Sequence, residues 1–556
     1  MPGSPVTTPR NQTDQTPLLD YHVIAPSVNA DSLADTESRS QLLKALLGQS
    51  WPLMLRGAVV AARYFACAIL LAKTDERLLA PNTLINAMES MYMVFAGRSL
   101  AILSSEISKL YGEIQKADRE KNAEGTSLER MAACEKIITD NNQKIGVVLR
   151  HGMLLAGTIG LPIAALYYFA NHHILHLLGQ HHFAVEKAQD YFQAAAPGFL
   201  ALNCLTAQQR LLQGLLEPIP VLASNVMHSG LSVLFAYLFL SGKAGFPKLE
   251  MDGLGYAFTA ASFATVLLNT LYFCMKKNIQ PFHIFSAQGG FQPALYKELA
   301  KKGLQTGLQN TTENVANMIN NIFLGMSGGL TALSASQMSE SLALFLSTMS
   351  GGLAQAISVC VGKSLGEKKY GTLKQYGNLG IVLGMSFPVM VFITMLFARR
   401  SFISLYVNTN NPDNADLVNS ASYFLLIACL RQLMTAVQLT TATGGLLGLK
   451  DTQFSMLTSI GSSLGLNSAV LCLMHFAFDA KVLALFFATV IGPGITGILN
   501  TGRWIMKSYE QSPAELAAVQ DATVPYRLVR SVRLFFGGNE NVIRDDRRLE
   551  EGLLQP

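Results

Sequence analysis

The sequence contains little charge for its length. Asp, Glu, Lys and Arg make up 14% of its 556 residues, whereas soluble domains contain about 25%. A soluble chain of this size needs far more charge to cover its surface, so the composition excludes a soluble multidomain enzyme. The net charge of +5 is small at this length and argues against a nucleic-acid partner. Because half of the residues are apolar and the mean hydropathy is +0.29, we expect a polytopic membrane protein.

Several catalytic and binding motifs are also missing. The seven cysteines do not follow the spacing of a disulfide framework or a metal site. The glycine-rich patterns of phosphate loops are absent, and Ser and His residues do not form a recognisable nucleophile arrangement. The sequence therefore predicts neither an enzyme nor a cofactor or metal site.

Long apolar stretches account for most of the chain. A helix that crosses a bilayer needs about 20 mostly apolar residues. Twelve such stretches can be delimited, at residues 51–72, 80–104, 145–170, 191–216, 219–241, 253–275, 303–327, 330–361, 376–398, 421–447, 454–477 and 481–504. We expect an all-α polytopic membrane protein with twelve transmembrane helices.

The distribution of Lys and Arg predicts the orientation. With both termini cytoplasmic, the inner connections hold more than twice the Lys and Arg residues of the outer connections, as the positive-inside rule requires. The first fifty residues are polar and lack the pattern of a signal peptide. We therefore expect a multi-pass protein of the cell membrane with cytoplasmic termini.

The connections and tails complete the predicted organisation. Residues 105–144 combine charges of both signs at helical spacing, which predicts solvated extensions of the flanking helices. Residues 526–536 place Arg between apolar residues, which suits either a helix on an anionic membrane surface or an ordinary polar tail. The expected regions are a polar tail (1–45), a six-helix lobe (46–275), a cytoplasmic connection (276–302), a second six-helix lobe (303–505) and a cytoplasmic tail (506–556).

An internal repeat supports the two lobes. Residues 91–113 align with residues 345–367, and residues 213–219 align more weakly with residues 447–453. Transporter folds are often built from duplicated halves. The matched residues in the first pair of segments are Gly97 with Gly351, Ser104 with Ser358, Lys109 with Lys363, Gly112 with Gly366 and Glu113 with Glu367.

Four short stretches have the character of family motifs, namely ILHLLGQ with a later Tyr191, MDGLGYAFTAASF (251–263), SVCVGKSLGEKK (358–369) and GGLLGLKDTQ (444–453). They resemble motifs of the multidrug and toxic compound extrusion (MATE) family, whose pattern has an arginine in the place of Leu447. The resemblance covers about residues 45–505. It implies two lobes around a central cavity, and export of small organic, usually cationic, compounds in exchange for H⁺ or Na⁺.

Ionisable residues inside the predicted spans are the functional candidates, because each costs several kcal/mol in the membrane. There are eight of them, namely Arg56, Arg63, Glu89, Arg98, Arg210, Glu313, Glu340 and Arg431.

Glu313 is the principal candidate. Asn310, Asn314, Asn317 and either Asn320 or Asn321 share its helix face. This polar face predicts contact with a wet cavity, or alternatively an amide-rich seam between helices. A glutamate at this place in the seventh helix resembles the family's cation-coupling glutamate. Two acidic positions of some prokaryotic members fall on Ala68 and Thr435, which favours H⁺ over Na⁺.

The remaining candidates allow more than one interpretation. Glu89 and Glu340 either line the cavity or are buried against a basic neighbour such as Arg63 or Arg98. Arg63 and Arg210 could bind an anionic group bidentately, whereas snorkelling to the surface explains Arg56 and Arg98.

We therefore predict an ion-coupled antiporter that exports cationic or amphipathic compounds by alternating access. The alternatives are an exporter of organic anions such as citrate, a flippase for lipid-linked precursors, and a polytopic sensor or scaffold. The expected partners are a small-molecule substrate and membrane lipid, without nucleic acid, and the expected oligomeric state is a monomer.

Overall fold

A computed structural model describes residues 38–177, 182–243, 245–286, 290–476 and 481–511. These residues form helices joined by short turns, and none of them forms a strand. Most of the predicted N-terminal tail, the tail stretch 526–536 and the side chain of Asn321 lie outside the described residues.

Eight helices build the first half of the described chain. They are α1 (Arg39–Thr74), α2 (Leu79–Ser99), α3 (Ala101–Lys121), α4 (Leu128–Ala165), α5 (Asn171–Leu177), α6 (His182–Gly214), α7 (Pro218–Ser241) and α8 (Met251–Met275). A π-helical segment, Leu166–Ala170, joins α4 to α5.

Six helices build the second half of the chain as far as the structure describes it. They are α9 (Pro293–Glu367), α10 (Tyr370–Ile403), α11 (Ala415–Gln438), α12 (Thr452–Thr458), α13 (Asn467–Phe476) and α14 (Lys481–Glu510). Two π-helical segments, Leu439–Leu446 and Ser459–Leu466, follow α11 and α12. Within the described residues, the twelve predicted apolar stretches coincide with helical segments, and eight helices are long and apolar enough to cross a membrane.

Helix α9 contains two of the predicted spans. Its backbone is helical through the connection predicted at residues 327–329. However, Asn317 and Glu340 both contact Arg431, and a straight helix would separate these two residues by about 35 Å. The helix therefore bends back on itself between Asn317 and Glu340.

The predicted extensions at residues 105–144 form a helical hairpin. Helix α3 continues to Lys121, and α4 begins after Ser127, whose hydroxyl caps the helix by accepting a hydrogen bond from the Arg130 amide at 3.3 Å. Lys121 and Glu135 join the two arms at 3.5 Å. We call this end of the bundle the hairpin end, and the opposite end, where α5 and His182 lie, the histidine end.

The two halves share one apolar core at the hairpin end. This core contains Leu110 and Leu211 of the first half together with Ile357 and Trp504 of the second. The other apolar clusters each belong to one half only. The halves are thus joined by apolar packing near the hairpin end and have separate cores elsewhere in the described chain.

The structure confirms the weaker repeat through two matching turns. Leu216 and Lys450 both adopt positive φ angles, 60° and 64°. In each turn, the next residue donates a 2.9 Å hydrogen bond to a carbonyl five residues earlier, from Glu217 to Leu212 and from Asp451 to Leu446. Two non-glycine residues in this left-handed conformation at matched positions show that the halves repeat one backbone design.

The stronger repeat forms a reciprocal seam between α3 and α9. A Cβ added to Gly112 would lie 2.2 Å from the Lys363 carbonyl oxygen, and a Cβ added to Gly366 would lie 2.0 Å from the Lys109 carbonyl oxygen. Each glycine thus packs against the lysine backbone of the other segment. This reciprocity is the signature of two halves related by approximate twofold symmetry.

We expect Gly366→Ala to destabilise the protein by about 1–3 kcal/mol, because overpacking forces the helices apart. The melting temperature of the purified protein in detergent measures the effect. Gly157→Ala is the matched control, since nothing lies within 4 Å of the Cβ that it adds. Equal melting temperatures for the two variants would show that the seam tolerates the extra atom.

Candidate functional site

Glu313 faces a small polar cavity in the second half. The cavity has a volume of about 80 Å³. Gln438, the last residue of α11, donates a hydrogen bond from its side-chain amide to the Glu313 carboxylate. Besides Glu313, the polar and charged residues that line the cavity include Asn314, Asn317, Asn320, Ser347, Arg431, Gln432, Thr435, Ser463 and Asn467. Glu313 is the only acidic residue among the described residues that line this cavity.

The asparagines on the predicted face have different positions. Asn314 and Asn317 line the cavity. Asn320 does so too, and its side-chain oxygen accepts a 3.2 Å hydrogen bond from the Asn467 amide. Asn310 is buried outside the lining, and its amide donates to the Thr306 carbonyl of its own helix at 2.9 Å.

Irregular helical segments border the cavity. Gln438 directly precedes the π-helical segment Leu439–Leu446, and Ser463 lies within the other, Ser459–Leu466. Pro493 of α14 also contributes to the lining. Because π-helical turns re-aim side chains and are frequent at functional sites, this arrangement places several polar groups opposite Glu313.

Arg431 neutralises Glu340 beside the cavity. The guanidinium of Arg431 donates to the Glu340 carboxylate at 2.8 Å and to the Asn317 side-chain oxygen at 3.5 Å. A second cavity of about 30 Å³ lies against this pair. Glu340 is therefore held by a basic neighbour, but the neighbour is Arg431 rather than Arg63 or Arg98.

The first half contains a corresponding buried pair. Arg63 lies 3.9 Å from the Glu89 carboxylate, which also accepts hydrogen bonds from the hydroxyl groups of Tyr64 at 3.2 Å and Tyr191 at 3.1 Å. The guanidinium stacks over the Tyr64 ring at 4.5 Å. These residues line a cavity of about 30 Å³. Since Glu89 already balances Arg63, this arginine is not a free anion receptor.

Arg98 and Arg210 extend from the first half towards the second. Arg210 donates to Gln355 of α9 at 2.9 Å and to the Gly97 carbonyl oxygen at 2.8 Å. Arg98 lies against Gly351 of α9 and interacts electrostatically with Glu313. Snorkelling was the wrong explanation for Arg98, because one of its terminal nitrogens is fully buried.

Sequence reasoning did not identify Arg98 and Gln438 as the neighbours of Glu313. Arg98 was recognisable as an intramembrane charge, but helical spacing does not reveal which helix it contacts. Gln438 belongs to the TAVQ stretch that also contains Thr435. Both of these residues contribute to the surroundings of Glu313, Thr435 as part of the cavity lining.

The histidine end offers no metal centre within the described residues. The rings of His172 and His176 are 4.5 Å apart, and His182 forms a 3.4 Å contact with Glu186. No group of three or more His, Cys, Asp or Glu side chains in the described chain is arranged to hold a metal ion.

Comparisons with known proteins identify the family. The family model MatE matches residues 139–238 and 306–473. The chain belongs to the MATE family. It is 25% identical to a multidrug resistance protein NorM of Synechococcus sp. over 365 residues, which cover 65% of this chain and 77% of that protein. It is 26% identical to a NorM protein of Bacillus cereus over 276 residues, or 49% of this chain and 59% of the relative.

Solved MATE structures share the fold. A MATE crystal structure in the bent conformation superimposes with a TM-score of 0.72 at 16% identity, covering 86% of this chain and 99% of the other. The eukaryotic MATE transporter AtDTX14 gives a TM-score of 0.67 at 14% identity, covering 90% and 100%. The protein is therefore an all-α, multi-pass membrane protein with the MATE fold, of a family of multidrug efflux transporters.

We expect Glu340 and Arg431 to be energetically coupled. Glu340→Gln and Arg431→Gln should each lower the melting temperature, because each leaves its partner without full compensation. The free energy of unfolding of the double variant should fall by less than the sum of the two single losses, and the difference is a coupling energy of about 0.5–3 kcal/mol. Strictly additive losses in a thermal-unfolding cycle would contradict the pairing.

Proposed function

We propose that this MATE-family protein is a secondary active antiporter that exports small organic compounds in exchange for H⁺. The observation that carries the proposal is the placement of Glu313, a carboxylate on the wall of a polar cavity in the membrane-spanning bundle. A carboxylate in such a site can gain and lose a proton during a transport cycle.

Proton transfer at Glu313 would change the attraction between the halves. Glu313 belongs to α9, whereas Arg98 belongs to α2, so their electrostatic interaction crosses from one half to the other. Protonation of Glu313 removes this attraction and also removes the negative charge that holds a cation. A ligand that alters the charge of Glu313 therefore biases the relative stability of two arrangements of the halves.

The hairpin end provides the contacts that must separate during alternating access. The glycine seam between α3 and α9 closes this end, and two ion pairs cross between the halves beside it. Arg119 lies 2.8 Å from Glu367, and Lys450 pairs with Glu106. Opening towards this end requires these contacts to break, while the pairs within each half can remain intact.

The charge of the cavity favours H⁺ as the coupling ion. A bound Na⁺ would keep a full positive charge near the cation Arg431, whereas a proton is taken up by the single carboxylate of the described lining and leaves no separate cation there. The family resemblance also places Thr435 where some prokaryotic members carry an aspartate. A single carboxylate suffices to bind a proton.

For substrate and membrane environment, we propose a cationic or amphipathic substrate drawn to ionised Glu313. We also propose a monomer in the plasma membrane, in contact with lipid, with the hairpin end cytoplasmic. The excess of Lys and Arg in the hairpin-end connections supports this orientation.

We expect Glu313→Gln to insert and fold but to lose at least about 90% of proton-driven efflux, because glutamine keeps the shape and has no proton to exchange. Proteoliposomes with an imposed pH gradient and a fluorescent organic cation provide the measurement. Glu129→Gln, which removes an exposed carboxylate of the hairpin, should transport normally. Efflux by Glu313→Gln at the normal rate would exclude Glu313 as the coupling residue.

Accessibility tests the orientation. In a variant without the native cysteines, we expect Lys248→Cys at the histidine end to react with a membrane-impermeant maleimide on intact cells. Glu129→Cys in the hairpin should react only after permeabilisation. Both positions are exposed in the structure. The reverse pattern would place the hairpin outside.

A further inference from the structure

Arg210 of α6 and Arg98 of α2 converge on one turn of α9, and Arg56 lies on the stretch of α1 that packs against the same turn. Arg210 of α6 reaches Gln355, and Arg98 of α2 reaches Gly351. Arg56 lies on the part of α1 that packs against this turn, where a Cβ on Gly352 would come 2.7 Å from the backbone nitrogen of Met54. All three guanidinium groups repel one another electrostatically.

These arginines have unused hydrogen-bond donors. The Nε atom of Arg210 and the Nη1 atom of Arg98 are buried without a hydrogen-bond partner among the described residues. The Nε2 atom of the adjacent Gln213 is likewise buried without a hydrogen-bond partner among the described residues. Arg210 is only 3% exposed. Arg56 forms no hydrogen bond or ion pair within the described part of the chain. A buried donor without a partner is costly, because it has given up its hydrogen bonds to water without replacing them.

The charges of this cluster are not balanced by acidic residues in the described part of the chain. Glu89 and Glu340 are engaged by Arg63 and Arg431. Glu313 interacts with Arg98 alone among the three arginines of the cluster, so two or three positive charges are left uncompensated, depending on whether Glu313 is ionised. Buried charges in proteins are normally paired, and guanidinium groups bind small anions through their fork of N–H donors.

We propose that Arg56, Arg98 and Arg210 form an anion-binding site between the two halves of the protein. The ligand is a small inorganic anion or the carboxylate of a small organic acid, since both accept hydrogen bonds from the unused guanidinium nitrogens. The site is separate from the cavity of Glu313, and its occupation neutralises positive charge that would otherwise repel a cation approaching that residue.

The site has a consequence for Glu313. An anion beside Arg98 and an ionised Glu313 compete for the same positive charge. Removing the charge of Glu313 should therefore strengthen anion binding, and this effect distinguishes a site between the halves from surface adsorption.

Binding of radiolabelled chloride to the purified wild-type protein tests the site, in a buffer of constant composition that contains no other small inorganic anion and no carboxylate. We expect saturable binding that weakens at least about tenfold in Arg98→Gln and strengthens several-fold in Glu313→Gln. Arg210→Lys retains the charge but loses the fork of donors, so it should also bind more weakly even if Arg98→Gln folds poorly. Lys301→Gln, an exposed charge change at the hairpin end, should bind as the wild type does.

Competition by citrate distinguishes the source of the anion. Displacement of chloride by citrate, with citrate accumulation in proteoliposomes, supports the site and assigns it to an organic-acid substrate. Chloride binding that citrate does not displace supports the site and assigns it to a resident inorganic ion. Absence of saturable binding of either anion, or unchanged binding in both arginine variants, would overturn the proposal. Because the assay measures equilibrium binding to the wild type, its failure is distinct from a failure of Glu313 to couple transport.

Discussion

The organisation of this protein depends on the cost of placing charge in a low-dielectric interior. Each half meets that cost internally with an ion pair, Arg63 with Glu89 and Arg431 with Glu340. These four residues therefore need no compensation from the other half. Charge that remains outside the pairs is concentrated where the halves meet, at Glu313 and the arginine cluster, so the electrostatic energy of the protein depends on how the halves are arranged.

Apolar packing holds the two halves together. Both halves contribute to one core at the hairpin end, and the reciprocal glycine seam allows their backbones to approach closely there. Close backbone packing between small residues is a normal way to join membrane helices, because lipid provides no hydrophobic drive for association. A contact of this kind is extensive but separable. It is suited to a seam that opens, whereas the charged pairs within each half would be costly to break.

Hydropathy and repeated motifs predicted most of the fold, and spacing alone left the pairing of charges undetermined. The apolar stretches correctly located helices, and the repeat was visible because matched glycines serve the same packing role in both halves. The helical course of α9 through residues 327–329 was missed, because Ser327, Gly328 and Gly329 are residues typical of a turn, whereas the backbone stays helical there. Glu313 stood out as an acid on an amide-rich face. Its neighbour Arg98, however, comes from another helix more than 200 positions away, and only tertiary packing brings the two together.

The repeat also shows where the two halves differ, and the difference lies at Glu313, the residue proposed to couple proton transfer to transport. In the register that pairs residues 91–113 with residues 345–367, Glu313 corresponds to Val59 and Arg98 corresponds to Gly352. Neither member of the interaction between the halves has a charged counterpart, although Glu89 and Glu340 lie in the similar strings NAMES and QMSES. A symmetric scaffold with symmetric charges would respond equally on both sides. Because Glu313 has no acidic equivalent in the first half, a change in its charge acts on one side of a nearly symmetric structure and can favour one arrangement over the other.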